Sequence, residues 1–250
     1  MADHVLRAKG ITRSFGSFKA VDGVDLDIER GEIHAMIGPN GAGKTTCFNL
    51  LTGDMALTSG SIELDGKVVS GLPMDKIARR GLVRSYQISS IFPDFTVVNN
   101  VRFALQRKRG ENLDFWRSEK VLRGLNERAM DLLDDLGLAD VAGERAAELS
   151  YGKKRALEIA TTLALDPKVL LLDEPTSGMG REDIGRVVEL IRKVAVGRTI
   201  LMVEHNLSVV EGLCDRITVL ARGQVIARGS YGDVAKDPQV VEAYLGAAHA

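Results

Sequence analysis

The chain has few cysteines, no long apolar run and no excess of charge of one sign. Two cysteines in 250 residues cannot form a disulfide framework, which predicts a reducing compartment, the cytoplasm. The apolar runs, such as 169–172, have the length of strands, so no segment predicts a transmembrane helix. The first residues lack the basic stretch and apolar core of a secretory signal. A formal net charge of −1 gives no field that would attract nucleic acid, and no such partner is expected.

The order of strand and helix patterns predicts an α/β fold with a mixed sheet. Apolar and acidic residues alternate over 24–28 and 61–65, and the second run ends at a hairpin signal, which predicts an antiparallel N-terminal part. Apolar residues then recur at helical spacing over about 96–136. Farther along, helices alternate with apolar strands at 169–172 and 200–203, which is typical of a parallel sheet covered on both faces.

A glycine-rich segment between a predicted strand and a predicted helix matches the pattern G-x-x-x-x-G-K-[ST]. Its glycines let backbone N–H groups converge on a phosphate at the positive end of the helix. Lys44 supplies a cation for the β- and γ-phosphates, and the Thr45 hydroxyl can ligate Mg²⁺. The sequence therefore predicts binding of a nucleotide with Mg²⁺ through Gly38, Pro39, Asn40, Gly41, Ala42, Gly43, Lys44, Thr45 and Thr46.

Two acids follow the predicted strand 169–172. Asp173 and Glu174 stand where open parallel sheets carry their ligands, and adjacent side chains there point in opposite directions. Asp173 can hold Mg²⁺ through water, and Glu174 can polarise a water for in-line attack on a γ-phosphate. An acid pair before Pro175 would alone be read as a turn, but the phosphate loop upstream favours the catalytic interpretation.

The segment Leu149-Ser-Tyr-Gly-Lys153 precedes a helix predicted at about 153–165. Ser150 and Gly152, with Tyr151 between them, open a helix whose free N–H groups can meet a γ-phosphate. An ordinary N-cap serine explains Ser150 but not the order of the motifs. Together with the phosphate loop and the acid pair, the segment resembles the LSGGQ signature of the nucleotide-binding subunit of ATP-binding-cassette (ABC) transporters. In that family the signature faces the ATP of the opposite subunit, and Lys153 departs from its Gln.

This resemblance implies roles for residues that carry no signal by themselves. Phe15 is expected to stack on adenine, and Val21 is expected among the nucleotide-binding residues. Gln87 is expected to sense Mg²⁺ and the permease, and His205 to contact the γ-phosphate. In the loop where this family has an Asp that contacts the second subunit, the chain has Gly180.

The resemblance implies the phosphate-loop NTPase fold of ABC ATPases, with a mixed sheet core, an N-terminal antiparallel β part and an inserted α-helical subdomain. The single domain 1–250 is expected to comprise a RecA-like core, about 1–95 and 165–250, and a helical subdomain, about 96–164. The expected catalytic residues are Lys44, Glu174 and His205, and the expected Mg²⁺ ligands are Thr45, Gln87 and Asp173.

The expected function is ATP hydrolysis that powers transport. Leu-Ser-Tyr-Gly at 149–152, the insert at about 107–139, Val-Glu-His-Asn at 203–206 and the ending 240–246 resemble the larger ATPase subunit of branched-chain amino acid importers. Import of branched-chain or other amino acids is therefore expected. Urea or short-amide importers and the lipopolysaccharide export ATPase share much of this pattern, and they stay open as alternatives.

The resemblance also implies partners and a location. We expect transmembrane permease subunits, a second ATPase subunit that is identical or different, and indirectly a solute-binding protein. The chain is expected to be cytoplasmic and peripheral on the inner face of the cell membrane. A soluble ABC ATPase of DNA repair or translation is the alternative from another class, but the sequence has one cassette and no long heptad run. A guanine-reading Asn-Lys-x-Asp motif is absent, which disfavours a GTPase.

Overall fold

The computed structural model describes residues 3–85, 91–108 and 119–247. In chain order the strands are β1 (His4–Phe15), β2 (Phe18–Glu29), β3 (Ile33–Ile37), β4 (Ser59–Leu64), β5 (Lys67–Val68), β6 (Leu82–Ser85), β7 (Val169–Asp173), β8 (Thr199–Val203), β9 (Arg216–Ala221) and β10 (Gln224–Gly229). The helices are α1 (Lys44–Thr52), α2 (Met74–Arg79), α3 (Val97–Lys108), α4 (Glu119–Asp135), α5 (Tyr151–Leu163), α6 (Arg181–Ala195), α7 (Leu207–Leu213), α8 (Tyr231–Val234) and α9 (Pro238–Ala247), with short 3-10 helices at Ala139–Val141 and Ala146–Glu148.

The strands of the described residues form two sheets, and their topology confirms the predicted fold class. The larger sheet has the order β10-β9-β3-β8-β7-β6, in which β10 is antiparallel to β9 and the other neighbours are parallel. The smaller sheet, with the order β2-β1-β4-β5, is antiparallel. The antiparallel N-terminal part, the mixed core sheet and the helices α3 to α5, which are inserted in the chain between β6 and β7, agree with the predicted α/β architecture.

The larger sheet is buried between two apolar layers. Residues of β1, β2 and α1 pack on one face, where Leu171 points. Residues of α3 to α6 pack on the other face, where Leu170 and Leu172 point. Because successive strand residues point to opposite faces, the fully buried run 169–172 contributes to both layers. The helical region is thus packed directly on the sheet. The division into a core of about 1–95 and 165–250 and a helical subdomain of about 96–164 stays a prediction.

Two elements differ from the sequence-based expectations for local reasons. β1 was not predicted, because Gly10, at φ +56°, lies where the register with β2 shifts between Ala8 and Ile11. Such a bulge interrupts the alternation of side chains that reveals a strand. The helix expected from about residue 153 begins at Tyr151, because the Ser150 side chain accepts a hydrogen bond from the Lys153 N–H at 3.4 Å and caps it.

Candidate active site

The phosphate loop connects β3 to α1 as an open cradle of backbone groups. Gly38, Gly41 and Gly43 have φ values of +150°, +74° and +100°. Residues with a Cβ rarely adopt such a backbone conformation. Gly43 is the N-cap of α1, and no side chain of the described residues caps this helix. The N–H groups of its first turn are therefore directed at any anion bound at the positive end of the helix.

Lys44 is the cation of this loop. Its side chain is 6 % exposed, and its Nζ donates to the backbone oxygens of Gly38 at 2.7 Å and Pro39 at 3.0 Å. Burial lowers the pKa of the Lys44 ammonium, and the negative charges of Glu174 and Asp173 oppose that change. The Lys44 ammonium is therefore poorly hydrated and is held by two backbone carbonyl oxygens. Phosphate oxygens can take the place of these acceptors.

Asp173 ends β7, and its carboxylate pairs with Arg84 of β6. Nη2 of Arg84 donates to Oδ2 of Asp173, while Nη1 donates to Oδ1 of Asn49 in α1 at 2.6 Å. The Arg84 and Asp173 side chains are 8 % and 14 % exposed, so each charge compensates the other within the fold. Arg84 thus ties the predicted metal carboxylate to the helix that follows the phosphate loop. An arginine in a short strand gives no sequence signal, and Arg84 was not predicted.

Glu174 and His205 meet at the carboxyl ends of β7 and β8. Nε2 of His205 lies 2.6 Å from Oε1 of Glu174, and the two side chains are 44 % and 28 % exposed. Glu174 has a φ of +45°, so the chain turns sharply directly after the strand. The structure thus brings together two predicted catalytic residues from separate parts of the sequence.

Glu204 holds the two loops beside this contact in a fixed relation. Its side chain is 3 % exposed. Oε1 accepts hydrogen bonds from the Thr176 N–H at 2.9 Å and hydroxyl at 2.6 Å. Oε2 accepts hydrogen bonds from the N–H groups of His205 at 2.9 Å and Asn206 at 3.1 Å. This buried carboxylate is well satisfied by donors from both loops. The sequence analysis did not predict a role for Glu204, because its position next to His205 was the only signal for it in the sequence.

The signature residues are accessible at the start of α5. Ser150 and Tyr151 are exposed, and the Tyr151 hydroxyl donates to the backbone oxygen of Ser177 at 3.2 Å. Ser177 belongs to the loop predicted to contact a second subunit, and that loop ends at Gly180, the N-cap of α6. The signature and this loop therefore touch within one chain, and both face solvent.

The remaining predicted residues have different surroundings. Phe15 is 46 % exposed, and the guanidinium carbon of Arg13 lies 4.7 Å from its ring centroid. Val21 is fully buried, so its side chain presents no surface to a ligand. Gln87 lies outside the described residues.

A contact that the sequence did not indicate joins α9 to the phosphate loop. Burial raises the pKa of the Tyr244 phenol, and a hydrogen bond with the backbone of Gly38 opposes this shift. The C-terminal helix therefore touches the first glycine of the loop.

These residues fit a nucleoside triphosphate with Mg²⁺. The open N–H groups and Lys44 are suited to phosphates, and Thr45 is exposed in the first turn of α1. No group of three or more His, Cys, Asp or Glu residues in the described ranges could hold a metal ion alone. Mg²⁺ commonly combines one or two protein ligands with phosphate oxygens and water, and the Thr45 hydroxyl is available as such a ligand.

A family model described as ABC transporter matches residues 21–177, more than half of the chain. The chain belongs to the ABC transporter family. It is a nucleotide-binding ATPase of that family. A second family model, described as branched-chain amino acid ATP-binding cassette transporter, matches residues 224–250 of this ABC protein. Within the described ranges, no helix has both the length and the apolar character needed to cross a bilayer.

Known ABC proteins match along almost the whole chain. The high-affinity branched-chain amino acid transport ATP-binding protein BraF of Pseudomonas aeruginosa is 38 % identical over 258 residues, covering 99 % of this chain and 100 % of BraF. LivG of Escherichia coli, with the same descriptive name, is 38 % identical over 255 residues, covering 99 % and 100 %. The crystal structure of an ABC transporter cassette in its ADP conformation aligns with a TM-score of 0.86 and 28 % identity, covering 97 % of this chain and 99 % of that one. A nucleotide-free cassette aligns with a TM-score of 0.84 and 28 % identity, covering 96 % and 98 %.

Proposed function

We propose that this ABC ATPase powers the import of branched-chain or other amino acids through partner permease subunits. The observation that carries the proposal is the 38 % identity, over 99 % of the chain, with BraF, which is named for branched-chain amino acid transport. The match of residues 224–250 to the branched-chain amino acid cassette model supports the same substrate class. In this function the chain is peripheral on the inner face of the cell membrane and depends indirectly on a solute-binding protein.

Nucleotide binding follows from the loop and its surroundings. In the proposed complex, backbone N–H groups of the phosphate loop and of the first turn of α1 contact the phosphates, Lys44 balances their charge and Phe15 stacks on adenine. Thr45, Asp173 and Gln87 would hold Mg²⁺ together with phosphate oxygens. The bound Mg²⁺ supplies positive charge to the triphosphate and orients it.

Hydrolysis is assigned to the acid and the histidine at the sheet edge. Glu174 accepts a proton from the attacking water, which requires its carboxylate to be ionised and correctly directed. His205 contacts the γ-phosphate, and its 2.6 Å contact with Glu174 supports a joint role. Lys44 places a positive charge beside the phosphoryl group, where negative charge develops during hydrolysis.

Two cassettes are proposed to close around ATP. Ser150 and Tyr151, which are exposed, and the half-buried Gly152 of one subunit would face the nucleotide held by the phosphate loop of the other, so ATP joins the pair. Hydrolysis and phosphate release remove the contacts that favour the closed pair, and the dimer opens. The second cassette is either an identical chain or a different one.

An aromatic groove supports the proposed contact with a permease. Residues of α2, β6, α3 and α5 line a groove with a volume of about 1220 Å³. Phe92, Phe95 and Phe103 are 43 %, 45 % and 45 % exposed, and the Phe92 ring centroid lies 5.1 Å from that of Phe95 and 5.0 Å from that of Phe103. An exposed cluster of aromatic side chains is typical of a protein interaction surface.

Uptake by whole cells tests the substrate class. In cells that lack this chain, we expect loss of labelled leucine uptake, restored by the wild type and not by Lys44→Ala. The exposed Lys193, changed to Ala, is the matched control and should restore uptake fully. If cells that lack this chain keep their leucine uptake and lose uptake of labelled urea, the proposed substrate class is wrong.

The solution mass of Glu174→Gln, with and without Mg-ATP, tests the proposed closure. This variant should bind ATP without hydrolysing it, because an amide cannot accept the proton. A change from monomer to dimer only with Mg-ATP, measured by size exclusion with light scattering, indicates that one chain supplies both halves of each site. A monomer that still binds ATP indicates a different second cassette.

A further inference from the structure

A buried ion pair in α5 has no role among the residues described so far. Arg155 and Glu158 are 5 % and 0 % exposed, and Nη1 of Arg155 lies 2.5 Å from Oε2 of Glu158. Burial raises the pKa of the Glu158 carboxyl, and the positive charge of Arg155 opposes this shift. Removing two charges from water is costly, and apolar side chains would often pack there as well. The other contacts of the pair therefore indicate what it does.

The second nitrogen of the Arg155 guanidinium reaches the strand that ends in the predicted catalytic acids. Nη2 donates to the backbone oxygen of Asp173 at 3.1 Å. At the other end of the same peptide, the Glu174 N–H donates to the backbone oxygen of Val203 at 2.9 Å. The peptide between Asp173 and Glu174 is thus held by α5 on one side and by β8 on the other. Because a peptide is planar, it cannot rotate without losing one of these hydrogen bonds.

The backbone of Glu174 requires such a hold. Its φ of +45° lies in the left-handed region, which is unfavourable for a residue with a Cβ. Strained backbone of this kind persists only where neighbouring contacts determine it. A return to negative φ would redirect the side chain, whose Oε1 now lies 2.6 Å from Nε2 of His205.

We propose that Arg155, held by Glu158, is a positioning residue that fixes the Asp173–Glu174 peptide and through it the direction of the Glu174 carboxylate. This inference rests on the proposed role of Glu174 in hydrolysis. Arg155 belongs to the helix that Ser150 caps, so one side chain connects the signature helix to the hydrolytic residue of the same subunit.

Two variants separate positioning from a purely structural role. Arg155→Met combined with Glu158→Leu removes both charges and leaves neither partner unpaired, a change that buried ion pairs often tolerate. Arg155→Lys keeps a cation beside Glu158 but loses the planar fork that reaches both acceptors. If the double variant does not fold, Arg155→Lys decides the question.

Helix α6 provides a matched control with the same pattern of contacts. Nη1 of Arg192 lies 2.6 Å from Oε1 of Glu189, and Nη2 donates to the backbone oxygen of Gly212 at 2.7 Å. This pair is exposed, and its hydrogen bonds above reach no residue of the proposed site within the described part of the chain. We expect Arg192→Met with Glu189→Leu to leave turnover within about twofold of the wild type.

The purified full-length variants are compared by phosphate release from Mg-ATP, by ATP binding in calorimetry and by urea unfolding. For both Arg155 variants we expect cooperative unfolding, an ATP affinity within about threefold of the wild type and a kcat lower by about tenfold or more. A kcat within about twofold of the wild type in either folded variant overturns the inference. A loss of ATP affinity large enough to explain the lost turnover also overturns it.

Glu174→Gln, measured in parallel, separates this inference from the proposed function. Retained turnover in Glu174→Gln shows that the role of Glu174 is wrong, and the inference about Arg155 then has no basis. Loss of turnover in Glu174→Gln, with full activity in the Arg155 variants, shows that only the role of Arg155 is wrong.

Discussion

Replacement of Gly43 by alanine measures how closely the phosphate loop packs on its neighbours. A Cβ added at Gly43 would lie 2.5 Å from the backbone oxygen of Ala20 and 3.4 Å from the Cα of Gly223. Both are backbone atoms, so the loop or a strand must shift. Extra atoms in a packed site cost about 1–3 kcal/mol. The backbone of Gly43, at φ +100°, adds a further cost of about 1–2 kcal/mol for any residue with a Cβ.

Gly41 provides the control within the same loop. Its φ is +74°, so alanine there also has an unfavourable backbone, but apart from its chain neighbours no described residue would have an atom within 4 Å of an added Cβ. We expect Gly41→Ala to lower the free energy of unfolding by about 1–2 kcal/mol. Because both positions have positive φ, the difference between the two variants measures mainly the steric contact at Gly43.

Urea unfolding, thermal unfolding and ATP titration of the two variants test this reasoning. Gly43→Ala should lower the free energy of unfolding by about 2–5 kcal/mol. At about 2–4 °C per kcal/mol for a chain of this size, its thermal midpoint should fall several degrees below that of Gly41→Ala. ATP affinity should also fall further in Gly43→Ala, because the displaced N–H groups belong to the first turn of α1. Equal midpoints in the two variants would refute the packing argument.

Three further changes test other parts of the structure. Lys168 and Arg30 lower the pKa of Asp65 below 3.8, so its stabilising charge is fully present above pH 3.8 and is lost as pH falls through the lower folded-state pKa. At neutral pH, Asp65→Asn should therefore lower the free energy of unfolding in urea by about 1 kcal/mol, and this loss should shrink below pH 3.8. A loss that does not depend on pH would contradict the assignment. Asn206→Ala removes the cap that accepts hydrogen bonds from two N–H groups of α7, at 3.1 and 3.4 Å, and calorimetry should show a loss of about 1 kcal/mol. His205→Ala should lower phosphate release about a hundredfold and retain ATP binding, whereas unchanged release would remove His205 from the mechanism.

The sequence predicted those parts of the candidate site whose residues are contiguous. The phosphate loop requires glycines, Lys44 and Thr45 in one short segment, and the acid pair directly follows an apolar strand. The meeting of Glu174 with His205 is consistent with the rule that parallel strands end at one edge of a sheet. These features depend on local geometry, so one sequence is sufficient to indicate them.

The residues that hold the acids depend on strand order, which the sequence did not give. Arg84 reaches Asp173 because β6 lies beside β7, although more than eighty positions separate them in the chain. Arg155 reaches the same residue from a helix, and Tyr244 reaches Gly38 from the C-terminal end. Each of these side chains is ordinary in its local sequence and gains its role only through tertiary contact.

Asp173 and Glu174 are neighbours in the chain but are held by different elements. β7 and β8, which support them, are central strands with fully buried apolar residues on both faces, so a shift of the sheet would disturb two packed layers. At the signature end of α5, Ser150 and Tyr151 are exposed, whereas the helix from residue 155 to residue 160 is buried in the core. The Arg155 contact holds the Asp173 end of the peptide from α5 and β8 holds the Glu174 end, so the direction of the Glu174 carboxylate depends on both elements.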